Sequence, residues 1–295
     1  MKTNEISKLL KENNIKIKSY RKYNNSYVVE TNEGKLFISE NKNNRNIFEY
    51  LEAKSFDNYP KILLNDRYQV TKYIKELDIP IEQKINDLID TVSLLHKKTS
   101  YSKKVNNDDY IKIYEDLVNE YNYLFNYYNN IIESIDNSIF LSPSNYLLSL
   151  NITLILDSLN IGMGYLENWL EKIKKVDKMR VCVINNDLSL SNYRRSDKSY
   201  LINWNRSKID IPVYDLYNFY NNENSIDFID TLNRYEKKSP LSEIEKDLLI
   251  ILLLMPDKLN LNDKEYDKCK SIKKCITKLL KTHKLINKYK KSIND

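Results

Sequence analysis

The loop Ile184-Asn185-Asn186-Asp187-Leu188-Ser189-Leu190-Ser191-Asn192-Tyr193 holds the residues of this chain best suited to chemistry. An Asp followed five positions later by an Asn is the spacing with which phosphoryl-transfer enzymes set a base beside a metal-holding amide. One carboxylate, Asp187, would meet an attacking hydroxyl. One amide oxygen on the same loop, Asn192, would hold a metal that neutralises phosphate charge. In an Asn-rich chain the spacing alone is weakly specific. Its context adds to it: Asn203 follows eleven positions later within Ile202-Asn203-Trp204-Asn205, and then comes Ile211-Pro212-Val213-Tyr214-Asp215-Leu216.

These residues need elements to position them. Arg180–Ile184 is a short apolar run that reads as a strand, 185–192 as a polar loop, and 201–204 as a second short strand. The stretch from Ile15 to Thr71 reads as strands with one helix. Tyr27–Thr31 and Lys35–Ser39 form a hairpin about Asn32-Glu33-Gly34, a helix covers Asn46–Phe56, and Tyr68–Ile74 is a further strand. Beyond a linker ending at Pro80 the pattern turns helical. A 3.6-residue period runs through Glu82–Lys98 and Asp108–Ile135, Ser142-Pro143 opens a helix, and another covers about Gly164–Lys175. Ser242-Glu243-Ile244-Glu245 is a capping box before an apolar helix. The basic segment Ile272–Tyr289 is amphipathic.

Composition limits the alternatives. The chain has 295 residues, 47 Lys and Arg against 41 Asp and Glu, and a net charge of +6. Acidic and basic residues are interspersed, Lys outnumbers Arg, and a surplus of Lys, Asn, Ile and Tyr is what A/T-rich codons produce, so no nucleic-acid partner is expected. Only 3 Gly and 6 Pro argue for long helices over an all-β architecture. Cys182, Cys269 and Cys275 indicate neither a disulfide framework nor a zinc site. The polar N-terminus predicts no signal peptide, and the longest apolar run, Leu248–Met255, predicts no transmembrane segment, which makes the cytoplasm the default location. The tyrosines of Tyr121–Tyr128 have helical spacing and are expected in core packing plus a solvated tyrosine face. The lysines of the last helix, among them Lys273, Lys274, Lys278 and Lys281, are expected on a solvated face.

Taken together, the loop and the segments after it resemble the aminoglycoside phosphotransferase/choline kinase superfamily. Its catalytic loop reads His-Gly-Asp-x-x-x-x-Asn, followed by a hydrophobic-Asp-Trp/Phe-Glu/Asp strand and then Pro-x-x-Asp-Leu. Leu94-Leu95-His96 is similar to the family's Leu-x-x-Leu-His element, and Val70–Ile74 stands where its interlobe hinge belongs. The resemblance spans about 15–290 and is sharp over 180–220. A looser similarity extends to kinase-like spore-coat proteins of low-GC Gram-positive bacteria.

The resemblance implies an α+β, two-lobed protein-kinase-like fold: a β-rich N-lobe over 1–75, and a helical C-lobe over 76–295 carrying loop 185–192 and strand 201–204. It implies Asp187 as base, Asn192 and Asn203 as metal ligands, and Asn185, His96 and Asp215 as structural residues at the site. Ser39, Lys35, Lys72 and Tyr73 become the cofactor-binding candidates, for Mg²⁺ and ATP if the protein is active. Three departures stand out. Asn203 replaces a metal-binding Asp, Asn185 replaces the loop His, and Ser39 occupies the position of the phosphate-binding Lys. Lys35 shares that strand face, but four residues back is ~13 Å. The phosphate loop Tyr23-Asn24-Asn25-Ser26 has no Gly either, which this superfamily tolerates. A pseudokinase or strongly weakened kinase is therefore expected, serving as a binding or scaffold module for a small molecule or protein, cytoplasmic or spore-associated. The alternative is an active ATP-dependent small-molecule kinase.

Overall fold

The protein is described from a computed structural model, which covers residues 3–23, 26–32, 34–41, 45–104, 107–223 and 226–294. Its chain divides into two compact units, one of Met1–Ser100, Cys182–Phe219 and Thr231–Ser239, the other of Tyr101–Val181, Tyr220–Asp230 and Pro240–Asp295.

The first unit is built on an antiparallel sheet. Its strands are β1 (Ile17–Tyr23), β2 (Ser26–Thr31), β3 (Gly34–Glu40), β4 (Ile62–Asn65) and β5 (Tyr68–Lys72), in the order β1-β2-β3-β5-β4. The alternation of apolar residues decides its faces. Tyr27 and Val29 of β2, Leu36 and Ile38 of β3, and Tyr68 and Val70 of β5 point to one side and are buried there. They meet Ile6 and Leu10 of helix α1 (Thr3–Glu12), an element the sequence pattern did not announce. α1 ends because Asn14 takes a left-handed conformation, with Asn14 N–H and Ile15 N–H returning to the carbonyls of Lys11 and Leu10. The hairpin predicted at Asn32–Gly34 is present, with Thr31 opposite Gly34 and Gly34 at φ +123°. Helix α2 (Arg45–Ala53) follows the sheet's third strand. Helix α3 (Ile81–Thr99) then buries Leu88, Ile89, Val92 and Leu95 in the same unit, as their period predicts.

The second unit is mainly helical. β6 (Tyr101–Lys104) leads into α4 (Asn107–Asp136), α5 (Pro143–Ser149) and α6 (Ile152–Ile173). α6 begins well before the predicted Gly164, because the apolar stretch Ile152–Leu159 is itself helical and buries Ile155 and Leu159. β7 (Lys178–Ile184) pairs its first half with β6. Past the first unit's remaining elements, α9 (Glu243–Leu254) and α10 (Glu265–Asn294) complete it. The capping box at Ser242 and Glu245 forms as expected, and Ser142 caps α5 by accepting from Asn145 N–H. The tyrosine prediction also holds. Tyr121 and Tyr128 are buried and donate to the carbonyls of Ile251 and Asp257, both at 2.6 Å. The expectation for Lys278 fails. It is 3% exposed and ion-pairs with Asp257 at 3.0 Å, because the helix face carrying it packs inward. Among the described residues no single helix is long and apolar enough to cross a membrane.

Two glycines of α6 test this packing. A Cβ on Gly162 would sit 2.5 Å from ring carbons of the buried Tyr121, whereas one on Gly164 would meet nothing within 4 Å. Gly164→Ala should stabilise the protein by about 0.5–1 kcal/mol through helix entropy. Gly162→Ala should destabilise it by about 1–3 kcal/mol through overpacking. Urea unfolding of the pair checks both signs. An acid titration tests the junction of α5 and α10. Lys268, and next the Ser144 side chain and N–H, hold the Glu265 carboxyl at about 2 against an ordinary 4.5. That contribution is present above pH 4.5 and is lost as pH falls toward 2. Glu265→Gln should flatten this limb of the stability curve.

Candidate functional site

The second half of β7 leads into the loop at 185, and it is locked in place. Cys182, Val183 and Ile184 are fully buried, Val183 N–H donates to Thr99 Oγ1 at 3.1 Å, and β10 (Lys208–Asp210) pairs with Cys182–Ile184. The loop's backbone is then held by Asp215, in the first turn of α7 (Val213–Asn222). Its Oδ2 accepts from Asn185 N–H at 2.9 Å and its Oδ1 from Asn186 N–H at 2.7 Å. His96 Nε2 reaches Oδ2 at 3.1 Å, and His96 Nδ1 lies 2.8 Å from the hydroxyl of Tyr235 in α8 (Phe228–Glu236). A carboxylate only accepts, so Nε2 carries the hydrogen toward Asp215, and in the neutral ring Nδ1 accepts from Tyr235. Asp215 is 0% and His96 1% exposed, so three donors replace the water that this carboxylate has lost.

Asn186 has φ +57°, the left-handed region that Asn tolerates better than most side chains. Asn218 Nδ2 secures it by donating to its side-chain oxygen at 3.2 Å. This strained turn places Asp187 at the head of the loop. Asn192 Nδ2 then donates to the Asp187 carbonyl at 2.7 Å and to its Oδ2 at 3.1 Å, which closes the loop on itself. Asn185 is fully buried. Its Nδ2 donates to Ile202 O at 3.4 Å, and its Oδ1 has no hydrogen-bond partner among the described residues.

The segment expected as a strand over 201–204 is different. A hairpin of β8 (Tyr193–Arg195) and β9 (Ser199–Leu201) ends at Leu201, and Trp204–Arg206 forms a 3₁₀ turn. The cause lies at Asn203, whose φ of +58° and ψ of +60° break the extended chain. Trp204 anchors the turn among Phe48, Phe56 and Tyr59, with ring centroids 5.9, 6.4 and 6.2 Å away. Asn203 Nδ2 is thereby brought to Asp187 Oδ2 at 2.7 Å, while Asn203 Oδ1 accepts from Asn205 at 3.4 Å. Arg206 Nη1 stands 3.7 Å from Asp187 Oδ1.

The other candidates lie apart from this cluster. Ser39 is buried in β3 opposite Gln69. Lys35 ion-pairs with its cross-strand neighbour Glu30 at 2.8 Å, which raises the amine and lowers the carboxyl from their ordinary values. Lys72 ends β5 exposed, and Tyr73, 40% exposed, donates its N–H to Lys35 O at 2.9 Å. Among the described residues no hydrogen bond or ion pair joins these four to Asp187, Asn192 or Asn203. Asn24 and Asn25 of the phosphate loop lie outside the described residues.

The loop therefore offers one carboxylate and two amides, with both amide N–H groups turned to the carboxylate and a guanidinium beside it. Among the described residues no group of three or more His, Cys, Asp or Glu could hold a metal ion. Magnesium is commonly bound through one or two carboxylates together with waters and substrate phosphates, and this cluster supplies one carboxylate, Asp187, with the two amides. Tyr235 and Arg206 were not singled out from sequence. Tyr235 gives no local signal, whereas Arg206 was visible three positions after Asn203.

No protein-family model and no curated protein sequence matches this chain. Solved structures do match it. An aminoglycoside phosphotransferase from Alicyclobacillus acidocaldarius superposes with a TM-score of 0.71 at 10% identity, covering 94% of this chain and 93% of that one. An AMP-bound spectinomycin phosphotransferase gives 0.57 at 13% identity, covering 95% and 98%. A choline kinase from Streptococcus pneumoniae gives 0.50 at 17%, covering 99% and 97%. The fold is kinase-like. It is α+β, with an N-terminal sheet region and a larger helical C-terminal part, as in these neighbours. In this kinase-like fold the bracing of the loop is the most testable feature. Asp215→Asn should cost about 2–4 kcal/mol, because an amide turns a donor toward one of two backbone N–H groups and leaves it buried and unpaired. Urea unfolding measures the loss, and amide exchange at Asn185 and Asn186 should rise more than elsewhere.

Proposed function

We propose that this chain is a phosphotransferase-type protein of the aminoglycoside/choline kinase kind that has lost most or all phosphoryl transfer and serves as a binding or scaffold module. One observation carries this reading: Asp187 is engaged by the Asn203 amide at 2.7 Å and faces Arg206 at 3.7 Å. Phosphoryl transfer depends on positioned positive charge at the phosphates, and a divalent ion needs anionic oxygens to stay there. Here Asn203 supplies a neutral ligand, and Ser39 supplies no cation on β3. The partner of such a module is a small molecule or a protein, in the cytoplasm or on a spore.

A second reading has its own observation. Asn192 donates to the Asp187 carbonyl at 2.7 Å and Asp215 braces the loop, so the base and one amide keep the frame of a working site. In that case the protein is an ATP-dependent kinase of a small hydroxylated molecule with Asp187 as base. Thermal shift separates the two. Under the proposal, ATP with Mg²⁺ or Mn²⁺ raises Tm no more than ATP in EDTA. A working kinase saturated at about 100 times its Kd would gain about 2.7 kcal/mol, a metal-dependent rise of several degrees. Such a rise, with turnover abolished by Asp187→Ala, would overturn the proposal.

A further inference from the structure

We infer that Arg206 weakens divalent-cation binding at this site: its guanidinium sets a positive charge beside Asp187, against any dication that binds there. The inference rests on the reading of a metal-poor site and adds a cause to it. Three facts support it. Among the described residues Asp187 is the carboxylate that the Asn192, Asn203 and Arg206 side chains meet, and its two oxygens are divided between these partners. Oδ2 takes the amides of Asn203 and Asn192 at 2.7 and 3.1 Å, and Oδ1 faces Arg206 Nη1 at 3.7 Å. The backbone of Arg206 is held near by the turn it sits in, since Trp204 is fixed among three aromatic rings and Ser207 Oγ donates back to Trp204 O at 2.6 Å. Its starting point beside Asp187 is therefore a consequence of the fold around Asn203.

The physics concerns charge more than bond strength. The pair is partly exposed, with Arg206 at 67% and Asp187 at 27%, so its own attraction is weak. A divalent ion seated between Asp187 and Asn203 would nevertheless lie near a positive charge. At about 6 Å in a water-like medium that repulsion corresponds to about a tenfold loss of affinity. A neutral Asn203, where the sequence resemblance implies an Asp, offers less attraction, and Arg206 adds repulsion. The two effects act on the same ion and are separable by substitution.

Mn²⁺ binding, followed by electron paramagnetic resonance on the full chain, tests the inference with wild type, Arg206→Ala, Arg206→Lys, Asn203→Asp and the Asn203→Asp/Arg206→Ala double variant. Melting temperatures confirm folding, which an exposed position should not disturb. Arg206→Ala is expected to tighten Mn²⁺ binding about tenfold in the Asn203→Asp background, and Arg206→Lys to stay at the wild-type level. A change below twofold on removing Arg206 would overturn the inference, and so would a gain for Arg206→Lys equal to that for alanine. A loss of metal-free ATP binding in Arg206→Ala would overturn it as well, since Arg206 would then hold phosphate. Tight wild-type Mn²⁺–ATP binding with turnover refutes the proposed function by itself, whatever Arg206→Ala does.

Discussion

The buried carboxylate of Asp215 is the constraint on which the rest of the site depends. Desolvating a full charge is costly, and here the cost is offset by two backbone N–H groups and an imidazole N–H, all within 3.1 Å. Because the two backbone donors belong to consecutive residues, the carboxylate fixes the path of the loop at Asn185 and Asn186. With that path fixed, Asn186 must turn through the left-handed region, and Asp187 is presented whether or not a ligand is near. Tyr235 and His96 extend the network, so α3, α7 and α8 are tied to the loop through a single side chain.

Around that frame the proposed function turns on charge. Asp187 is the carboxylate that meets Asn192, Asn203 and Arg206, and the two polar partners on its Oδ2 are neutral amides. Two of the left-handed residues, Asn186 and Asn203, flank Asp187 in the site. Asn tolerates that conformation, so the backbone geometry here does not depend on a charged side chain at either position. Stability and electrostatics are set separately here: burial and aromatic packing of Trp204 hold the turn at 203, while the side chain it presents is a neutral amide.

Much of the arrangement was legible in the sequence, because it is local. The hairpin about Gly34, the Ser142 cap, the Ser242–Glu245 capping box and the periods of α3 and α4 are set by neighbours in the chain. The spacing from Asp187 to Asn192 and on to Asn203 likewise identified the residues that meet. What could not be read depends on long-range packing. α1 is short and acquires its role only by covering the sheet. The apolar start of α6 carries no polar stripe to mark its period. Lys278 is buried because of what faces α10, and Tyr235 joins His96 from 139 residues away. The strand predicted over 201–204 failed for a conformational reason, since a short apolar run cannot reveal that Asn203 leaves the extended region.

The central claim is that the kinase-like frame persists while its metal site does not. Crystals soaked with Mn²⁺ and a non-hydrolysable ATP analogue, with anomalous diffraction collected at the manganese edge, test it most directly. The account predicts no anomalous peak at coordination distance from the Asn192 and Asn203 side chains, with Arg206 still facing Asp187. A well-occupied manganese bridging Asn192, Asn203 and the analogue's phosphates would contradict it.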